Sequence, residues 1–385
     1  MSMVTTLIAA AVTVPSLMSL SLTAFNLLVW PRGRETTTAL PSISVLIPAR
    51  NEERCIEATV RSVMQNADEI LECIVCDDGS TDATPGILAR LAQEYPKLRV
   101  IQGIGLPAGW VGKPHACHRL SQQATGEWLL FLDADTRLQR AGILRAADIM
   151  GHYRADVLSV VPHQEMVTPA EQVVMPMLLA TYTSWLPLPL IWHSQDPRFL
   201  AAMGQFLMVR RDAYTRIGGF ESVKAEVVDD MAFCRNAKRA GLRMVFADGT
   251  HIASCRMYTS WQEIRDGFSK NLYEGIGATM LGLTVVSGLY FCAFVLPWLL
   301  LVAGMTTLLP SVFAVAGATG IVASLTMRLL LAWRMGFSIW SVPLHSFATL
   351  AFLSIAWRSW SWSRKGAISW SGRVYASRAQ RTGAA

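Results

Sequence analysis

The segment LECIVCDDGSTDATPGILARLAQEYPKLRVIQ (residues 71–102) is decisive for the fold, because it alternates between two local patterns. Its apolar run at 71–76 predicts a buried strand, residues 82–95 predict a helix, and residues 98–102 predict the next strand. A helix between two short strands is typical of a parallel sheet, in which each crossover covers one face of the sheet.

The same alternation extends to both sides of this segment. ISVLI (43–47) predicts a strand, residues 52–66 and 115–124 predict helices, and EWLLFLDAD (127–135) predicts another strand. We therefore expect an α/β fold with a mostly parallel sheet that is covered by helices on both faces. In that architecture, ligands bind beyond the carboxyl ends of the strands.

Acidic residues follow three of these strands, in PARNEE (48–53), DDGSTD (77–82) and DAD (133–135). A solvated turn or a helix cap would explain any one of them, but three strand ends converge on one crevice. Asp133 and Asp135 are two residues apart, so in an extended backbone their side chains point the same way. Such a pair suits Mg²⁺ or Mn²⁺, held together with substrate phosphates.

A further acid pair, Asp229 and Asp230, lies in EVVDDMAFCRNAKRAG (226–241). This stretch predicts an amphipathic helix that ends at Gly241, with both carboxylates near its start. They could simply interact favourably with the helix dipole. At the rim of an acidic crevice, however, they could also supply a general base.

The charges are distributed so that both ends of the chain differ from its middle. The chain is 52% hydrophobic and 16% charged, residues 1–31 have no charged side chain, and residues 275–385 have basic but no acidic residues. This leaves 26 of the 34 basic and all 28 acidic residues to residues 32–274, a net charge of −2. A nucleic-acid-binding domain carries a basic patch, so the nearly neutral middle argues against nucleic acid as a partner.

Uncharged residues 3–30 are long enough to span about 30 Å of hydrocarbon, and basic residues follow them. They predict an N-terminal transmembrane anchor at 1–31 and, by the positive-inside rule, a cytoplasmic domain at 32–274. Together with the C-terminal spans described next, this anchor predicts a multi-pass protein of the cell membrane.

A second uncharged region follows Glu274 and predicts C-terminal transmembrane helices within residues 275–357. The three candidate spans are 280–307, 311–333 and 337–357. Three spans would place the basic tail at 358–385 outside the cell, against the positive-inside rule, so the number of spans stays open.

The uncharged segment 172–192 interrupts the cytoplasmic domain and contains Pro176, Pro187 and Pro189. Prolines at this density disfavour a plain spanning helix. We expect a membrane-associated segment that lies on the membrane or lines an access route for a lipid, in preference to a buried core helix.

Taken in order, the motifs resemble those of the family-two glycosyltransferases with the GT-A fold. They are PARNE (48–52), DDGSTD (77–82), Gly112-Lys113, LDAD (132–135), Gly218-Gly219-Phe220 and the acid pair at 229–230. The resemblance covers roughly residues 42–275 and implies a nucleotide-sugar-binding domain.

On the donor side, the resemblance implies that Pro48, Glu52, Asp77 and Asp78 lie at the base and ribose of a nucleoside-diphosphate sugar, with a UDP-sugar favoured. Lys113 is expected near the same donor. These are expectations from the family's motifs at matching positions.

At the reaction centre, the resemblance implies that Asp133 and Asp135 bind Mn²⁺ or Mg²⁺ and the diphosphate, and that Asp230 deprotonates the acceptor. Asp229 stands where the family commonly has glutamate. The acceptor-side loop is expected at Gly218, Gly219 and Phe220.

Three further stretches resemble the membrane glycosyltransferases of carotenoid (staphyloxanthin-type) and hopanoid-associated pathways: GWVGKPHACH (109–118), RMYTSWQEIRDGFSKNLYEGIG (256–277) and ISWSGRVY (368–375). This resemblance implies inverting transfer from a nucleoside-diphosphate sugar to a lipid acceptor at the cytoplasmic face. The Q-x-x-R-W motif of processive synthases is absent after the acid pair, which favours transfer of a single sugar. The base at Asp230 slightly favours a hydroxylated lipid over a carboxylate, which would already be ionised.

Two other functions are weighed against this one. A nucleotidyltransferase would need a glycine-rich, basic triphosphate loop after its first strand, and PARNEE (48–53) is acidic. A non-catalytic membrane scaffold with a relic domain would not need acids at three strand ends and at 229–230. Both remain as alternatives.

Overall fold

The computed structural model describes residues 3–306, 309–365, 368–370 and 373–375. Its central sheet has the strand order β3-β2-β1-β4-β7-β6-β8-β5. The strands are β1 (Ile43–Ala49), β2 (Glu72–Asp77), β3 (Leu98–Gln102), β4 (Trp128–Leu132), β5 (Thr136–Leu138), β6 (Val157–Gln164), β7 (Phe206–Arg210) and β8 (Met244–Cys255), and a separate antiparallel pair consists of β9 (Ile368–Trp370) and β10 (Arg373–Tyr375).

The helices come both between the strands and at the two ends of the chain. They are α1 (Met3–Val29), α2 (Ile56–Met64), α3 (Thr84–Glu94), α4 (Gly112–Gln123), α5 (Gly142–His152), α6 (Pro169–Val174), α7 (Pro176–Trp185), α8 (Pro189–His193), α9 (Arg211–Ile217), α10 (Asp229–Arg239), α11 (Trp261–Gly275), α12 (Met280–Phe294), α13 (Leu296–Met305), α14 (Val312–Met335) and α15 (His345–Lys365).

The predicted α/β class and mostly parallel sheet are confirmed. Strand β1 pairs in parallel with β2 and β4, β2 with β3, and β6 with β8, whereas β7 runs antiparallel to β4 and β6, and β5 antiparallel to β8. The ends of β1, β2 and β4 therefore meet at one edge, as the sequence predicted.

The apolar run of β1 is buried on both faces because helices cover the sheet on each side. Val45 and Ile47 pack with Val60 of α2 in one core, whereas Leu46 packs with Leu120 of α4 in the other. This alternation follows from the two-residue period of a strand.

Within the part of the chain that the structure describes, three helical segments are long and apolar enough to cross a membrane: Thr6–Val29, Val312–Met335 and Ile339–Lys365. The predicted N-terminal anchor and the last two predicted spans are thus seen as helices. Strands β9 and β10 lie in the predicted basic tail, whose residues 366–367, 371–372 and 376–385 are outside the described part of the chain.

The candidate span at 280–307 is divided into two helices, since α12 ends at Phe294 and α13 begins at Leu296. Pro297 lacks the N–H that would bond to the carbonyl of Ala293 in a continuous helix. Ser16 of α1 donates its hydroxyl to that carbonyl oxygen instead, at 2.8 Å. A neighbouring helix therefore satisfies the group that the proline frees, as an apolar environment requires.

The segment 172–192 forms parts of three short helices, α6, α7 and α8, which are separated near its prolines. Its side chains Met177, Leu179 and Ala180 are buried against the rest of the protein, and its association with a membrane stays a prediction. Asn26 of α1 donates to the carbonyl of Thr183 at 2.7 Å and fixes α7 against the N-terminal helix.

One buried carboxylate joins the sheet to two of the long helices. Asp248 in β8 accepts hydrogen bonds from Arg32, just after α1, at 2.8 Å and from Arg334, near the end of α14, at 2.5 Å. Its side chain is 1% exposed, and its backbone N–H donates to the carbonyl of Pro31 at 2.9 Å. The described helices at both ends of the chain are thus anchored to the same strand.

We predict that Asp248→Asn destabilises the protein by roughly 3 kcal/mol, because it leaves two arginines without their buried partner. Glu57→Gln is the matched control, since Glu57 also pairs with two arginines, Arg61 and Arg90, but on the surface. Thermal unfolding in detergent would show a large drop in Tm for Asp248→Asn alone. Equal shifts in both variants would contradict the anchoring role.

Candidate active site

A cavity of about 310 Å³ lies between the carboxyl edge of the sheet and the helices α7, α11, α12 and α15. Its polar end is lined by Lys113, Asp133, Asp135, Gln205, Asp229, Asp230 and Lys270. The structure therefore brings together five of the predicted site residues, which come from three separate parts of the chain.

Asp133 and Asp135 reach the cavity from a turn, which corrects the prediction that they continue an extended strand. Strand β4 ends at Leu132, and the N–H of Thr136 donates to the carbonyl of Asp133 at 3.0 Å. The turn leads directly into β5, which pairs with β8. The two carboxylates share the cavity because of this turn, and not because of strand alternation.

Lys113 lies at the start of α4, and its ammonium is 2.6 Å from a carboxylate oxygen of Asp133. Burial alone would lower the pKa of Lys113, but the carboxylates of Asp133 and Asp229 raise it well above its ordinary value. This lysine therefore carries a positive charge into the centre of the acidic site.

Asp229 and Asp230 begin α10, as the sequence predicted. Burial and then the neighbouring charge of Asp229 raise the pKa of Asp230 to about 6. Gly204 allows this helix to come close to α4, because a Cβ at Gly204 would lie 3.2 Å from both the Asp230 Cβ and the Lys113 Nζ. The sequence analysis did not single out this glycine.

The four residues predicted to bind the nucleoside lie at the adjacent strand ends and, unlike Lys113, do not line this cavity. Asp77 and Asp78 follow one another at the end of β2 and are only 2% and 5% exposed. Pro48 is in β1, and Glu52 lies in the turn before α2. Burial, followed by the charges of Asp135 and Asp133, raises the pKa of Glu52 to about 8, so Glu52 belongs to the same electrostatic site.

Gly218, Gly219 and Phe220 do not line the cavity, and their predicted place on the acceptor side stays a prediction. Phe220 is 2% exposed and packs against Phe131 and Phe233 with ring-centroid distances of 4.8 and 5.1 Å. Gly218 ends α9 in the left-handed conformation, with φ +83°. These residues support α10 from behind, through the Phe233 contact.

The opposite end of the cavity is apolar and is formed by helices near the membrane-spanning segments. Its lining includes Leu178 and Tyr182 of α7, Leu283, Val286 and Tyr290 of α12, and Phe352, Leu353 and Ala356 of α15. The segment 172–192 thus contributes to an apolar wall of the cavity, and its role along a lipid route stays a prediction.

Lys270 and Asn271 of α11 lie where the acidic and apolar parts of the cavity meet, and sequence reasoning assigned them no role. Burial and then the charge of Lys113 lower the pKa of Lys270 to about 8. The Oδ1 atom of Asn271 is buried and has no hydrogen-bond partner within the described residues. Their place after the acid pair, where processive synthases have Q-x-x-R-W, was the available signal.

The chemistry of Asp133 and Asp135 fits a divalent cation. Burial, followed by the charge of Asp133, raises the pKa of Asp135 to about 6, and a bound cation would relieve this repulsion. Among the residues described, no group of three or more His, Cys, Asp or Glu side chains is arranged to hold a metal. Two carboxylates suit an Mg²⁺ or Mn²⁺ ion whose remaining ligands are substrate phosphates and water.

Residues 44–218 match the sequence profile of the family described as "Glycosyl transferase family 2". The chain is 27% identical over 258 residues to 4,4'-diaponeurosporenoate glycosyltransferase of Staphylococcus haemolyticus (strain JCSC1435), and the match spans 66% of each protein. It is 25% identical over 341 residues to the protein of the same name from Staphylococcus aureus (strain bovine RF122 / ET3-1), with 87% of this chain and 88% of the relative covered.

Among solved structures, the mannosyltransferase PcManGT from Pyrobaculum calidifontis, in complex with GDP-Man and Mn²⁺, has a similar fold. The TM-score is 0.54 at 18% sequence identity, and the match covers 91% of this chain and 96% of the other. At this identity the similarity supports the GT-A-like fold.

We predict that replacing Glu52 with glutamine stabilises the protein, relative to the parent, more at pH 9 than at pH 5. A carboxyl with a pKa of about 8 when folded, against an ordinary value of 4.5, holds its proton more tightly in the folded state, so stability falls as the pH rises through this window. The glutamine variant loses that dependence, and its Tm should move above that of the parent as the pH increases.

Glu94→Gln is the control, because the hydrogen bond from Arg61 lowers the pKa of Glu94. Its Tm difference from the parent should not become more positive over the same pH range. If the Tm difference between Glu52→Gln and the parent is the same at both pH values, the pKa of Glu52 is not raised in the folded protein.

Proposed function

Residues 44–218 belong to the family 2 glycosyltransferases, and we propose that the chain transfers a single sugar from a nucleoside-diphosphate sugar to a lipid acceptor, with inversion at the anomeric carbon. The observation that carries this proposal is the composition of the cavity. One end is formed by acids at the edge of the sheet, and the other by apolar side chains of α12 and α15. A polar reaction centre that opens into an apolar chamber suits a substrate with a reactive head and a hydrocarbon body.

In the proposed reaction, a hydroxyl oxygen of the acceptor attacks the anomeric carbon, and the bond from that carbon to the diphosphate breaks. Asp230 takes the proton of the hydroxyl. Its pKa of about 6 leaves it mostly ionised at pH 7, yet makes it a stronger base than an ordinary carboxylate. A placed base of this kind contributes roughly 10²- to 10⁴-fold to the rate.

Asp133 and Asp135 are the proposed ligands of a Mn²⁺ or Mg²⁺ ion that is shared with the diphosphate of the donor. When bound, such an ion neutralises charge on the departing diphosphate. Lys113 is proposed to add positive charge beside Asp133, at the same end of the cavity. Pro48, Glu52, Asp77 and Asp78 are proposed to bind the nucleoside, with a UDP-sugar as the first donor to test.

The acceptor is proposed to be a carotenoid, a hopanoid or another isoprenoid-like membrane lipid. Two relatives of this chain are named for glycosylation of diaponeurosporenoate, which is a carboxylate. Transfer to a carboxylate would need no proton to be removed, whereas transfer to a hydroxyl would use Asp230. The presence of this base favours the hydroxyl. We propose that the reaction takes place at the cytoplasmic face of the membrane.

We predict that Asp230→Asn lowers the rate of glycolipid formation by roughly 10²-fold or more, while the donor still binds, because the variant keeps the shape of the site but loses the base. The measurement uses purified protein, a panel of UDP- and GDP-sugars, total membrane lipid as acceptor, and added Mn²⁺ or Mg²⁺. Asp212→Asn, which changes an exposed aspartate on α9, is the matched control and should behave like the parent.

Asp135→Asn should abolish any dependence on the added ion together with the transfer. If the parent forms no glycolipid from any donor, and the Asp230 and Asp135 variants bind nucleotide as the parent does, a scaffold replaces the proposed enzyme. If transfer to an acid survives Asp230→Asn but transfer to an alcohol does not, the base serves hydroxyl acceptors only.

A further inference from the structure

The cavity is small for the substrates of the proposed reaction. Its volume of about 310 Å³ is at the lower limit of pockets that enclose a drug-sized ligand, which is roughly 300–1,000 Å³. It has room for a sugar and the reactive end of an acceptor, but not for the whole of a long lipid as well. The hydrocarbon body must therefore extend out of the cavity during the reaction.

Two walls of the cavity are closed by tight contacts. On the side of α7, Asn26 donates to the carbonyls of Thr183 and Leu186 at 2.7 and 2.8 Å, and the hydroxyls of Thr23 and Ser184 are 3.0 Å apart. On the opposite side the sheet forms the floor. Neither wall offers an apolar passage toward a bilayer.

The wall between α12 and α15 is different. Val286 and Ser287 of α12 and Leu353 of α15 line the cavity and are only partly buried. The side chains next to them on the outside are apolar and more exposed, with Val285 58% and Leu350 45% accessible. The seam between these two helices thus runs from the cavity to an apolar outer surface.

Two side-chain hydrogen bonds connect α12 and α15. The hydroxyl of Ser346 on α15 donates to the carbonyl of Phe294 at 2.6 Å, at the end of the seam away from the acidic residues, and the other bond lies beside the cavity. The indole N–H of Trp357 on α15 donates to the hydroxyl of Ser287 on α12 at 3.1 Å. This bond lies at an exposed position of the seam, where the contact can open to the surroundings. The main-chain hydrogen bonds of both helices stay intact when it does.

The end of the seam at the start of α12 lies beside the reaction centre. Helices α11 and α12 are bent by 114° relative to each other, and Gly275 and Ile276 in the bend line the cavity. Lys270 and Asn271, one turn earlier, connect this bend to the acidic end. A chain that enters along α12 therefore meets the polar groups only at its tip.

Resting on the proposed function, we propose that the lipid acceptor enters sideways from the bilayer between α12 and α15. Its reactive end reaches Asp230 while its hydrocarbon chain remains in the seam and in the surrounding lipid. A single linear or flat chain, such as a polyene or a polycyclic isoprenoid, suits a gap between two packed helices better than a lipid with two acyl chains. The Ser287–Trp357 hydrogen bond marks the outer opening.

The test narrows the seam without touching the acidic residues. Ser287→Trp should lower the rate of glycolipid formation from total membrane lipid by roughly tenfold or more, because the indole occupies the passage. Release of nucleoside diphosphate by transfer of the sugar to water should stay within about twofold of the parent, since water does not use the seam. Val285→Trp, on the outer face of the same helix, is the control and should leave both rates unchanged.

Leu353→Trp tests the seam from α15, with Leu350→Trp as its control, so the result does not depend on one variant folding correctly. Loss of glycolipid formation in both seam variants but neither control supports the entrance. If both seam variants act on membrane lipid like their controls, or lose transfer to water equally, the entrance is overturned. A parent that forms no glycolipid at all instead overturns the proposed function.

Discussion

The ion pair between Lys113 and Asp133 is the interaction on which the site depends. The negative charge of Asp133 raises the pKa values of the other buried carboxyls around it, Asp135, Asp229 and Asp230, and the positive charge of Lys113 lowers all of them. Without this lysine, so many carboxyls in one buried cavity would hold their protons or repel one another. With it, Asp230 retains a pKa near 6, which is useful for a base.

This charge cluster has to be built from distant parts of the chain, and backbone features make that possible. Gly204 permits the close approach of Lys113 and Asp230, because no Cβ stands between α4 and α10. The ring of Phe220 stacks on that of Phe233 in α10 and so supports this helix on the side away from the cavity. The glycines and aromatics around the site therefore act as supports for charged groups that the cavity presents to a ligand.

A second constraint comes from the prolines that interrupt helices near the membrane-spanning segments. Pro297 frees the carbonyl of Ala293, which Ser16 binds, and Pro176 removes the donor for the carbonyl of Gln172. Arg328 of α14 donates to that second carbonyl at 3.2 Å. Each interruption thus becomes a contact between helices, and these contacts, with Asp248, join the apolar helices to the catalytic sheet.

Local sequence patterns were enough to predict the α/β class, the acids at the strand ends and the apolar ends of the chain, because strand, turn and membrane-helix signals come from neighbouring residues. They also placed Asp229 and Asp230 at the start of a helix, since that depends on nearby residues alone. Only the tertiary structure decided that Asp133 and Asp135 meet the cavity from a turn, that Phe220 is buried behind it, and that Lys270 faces into it. These placements depend on contacts between segments far apart in the chain, and no local pattern encodes which buried neighbour a side chain will have.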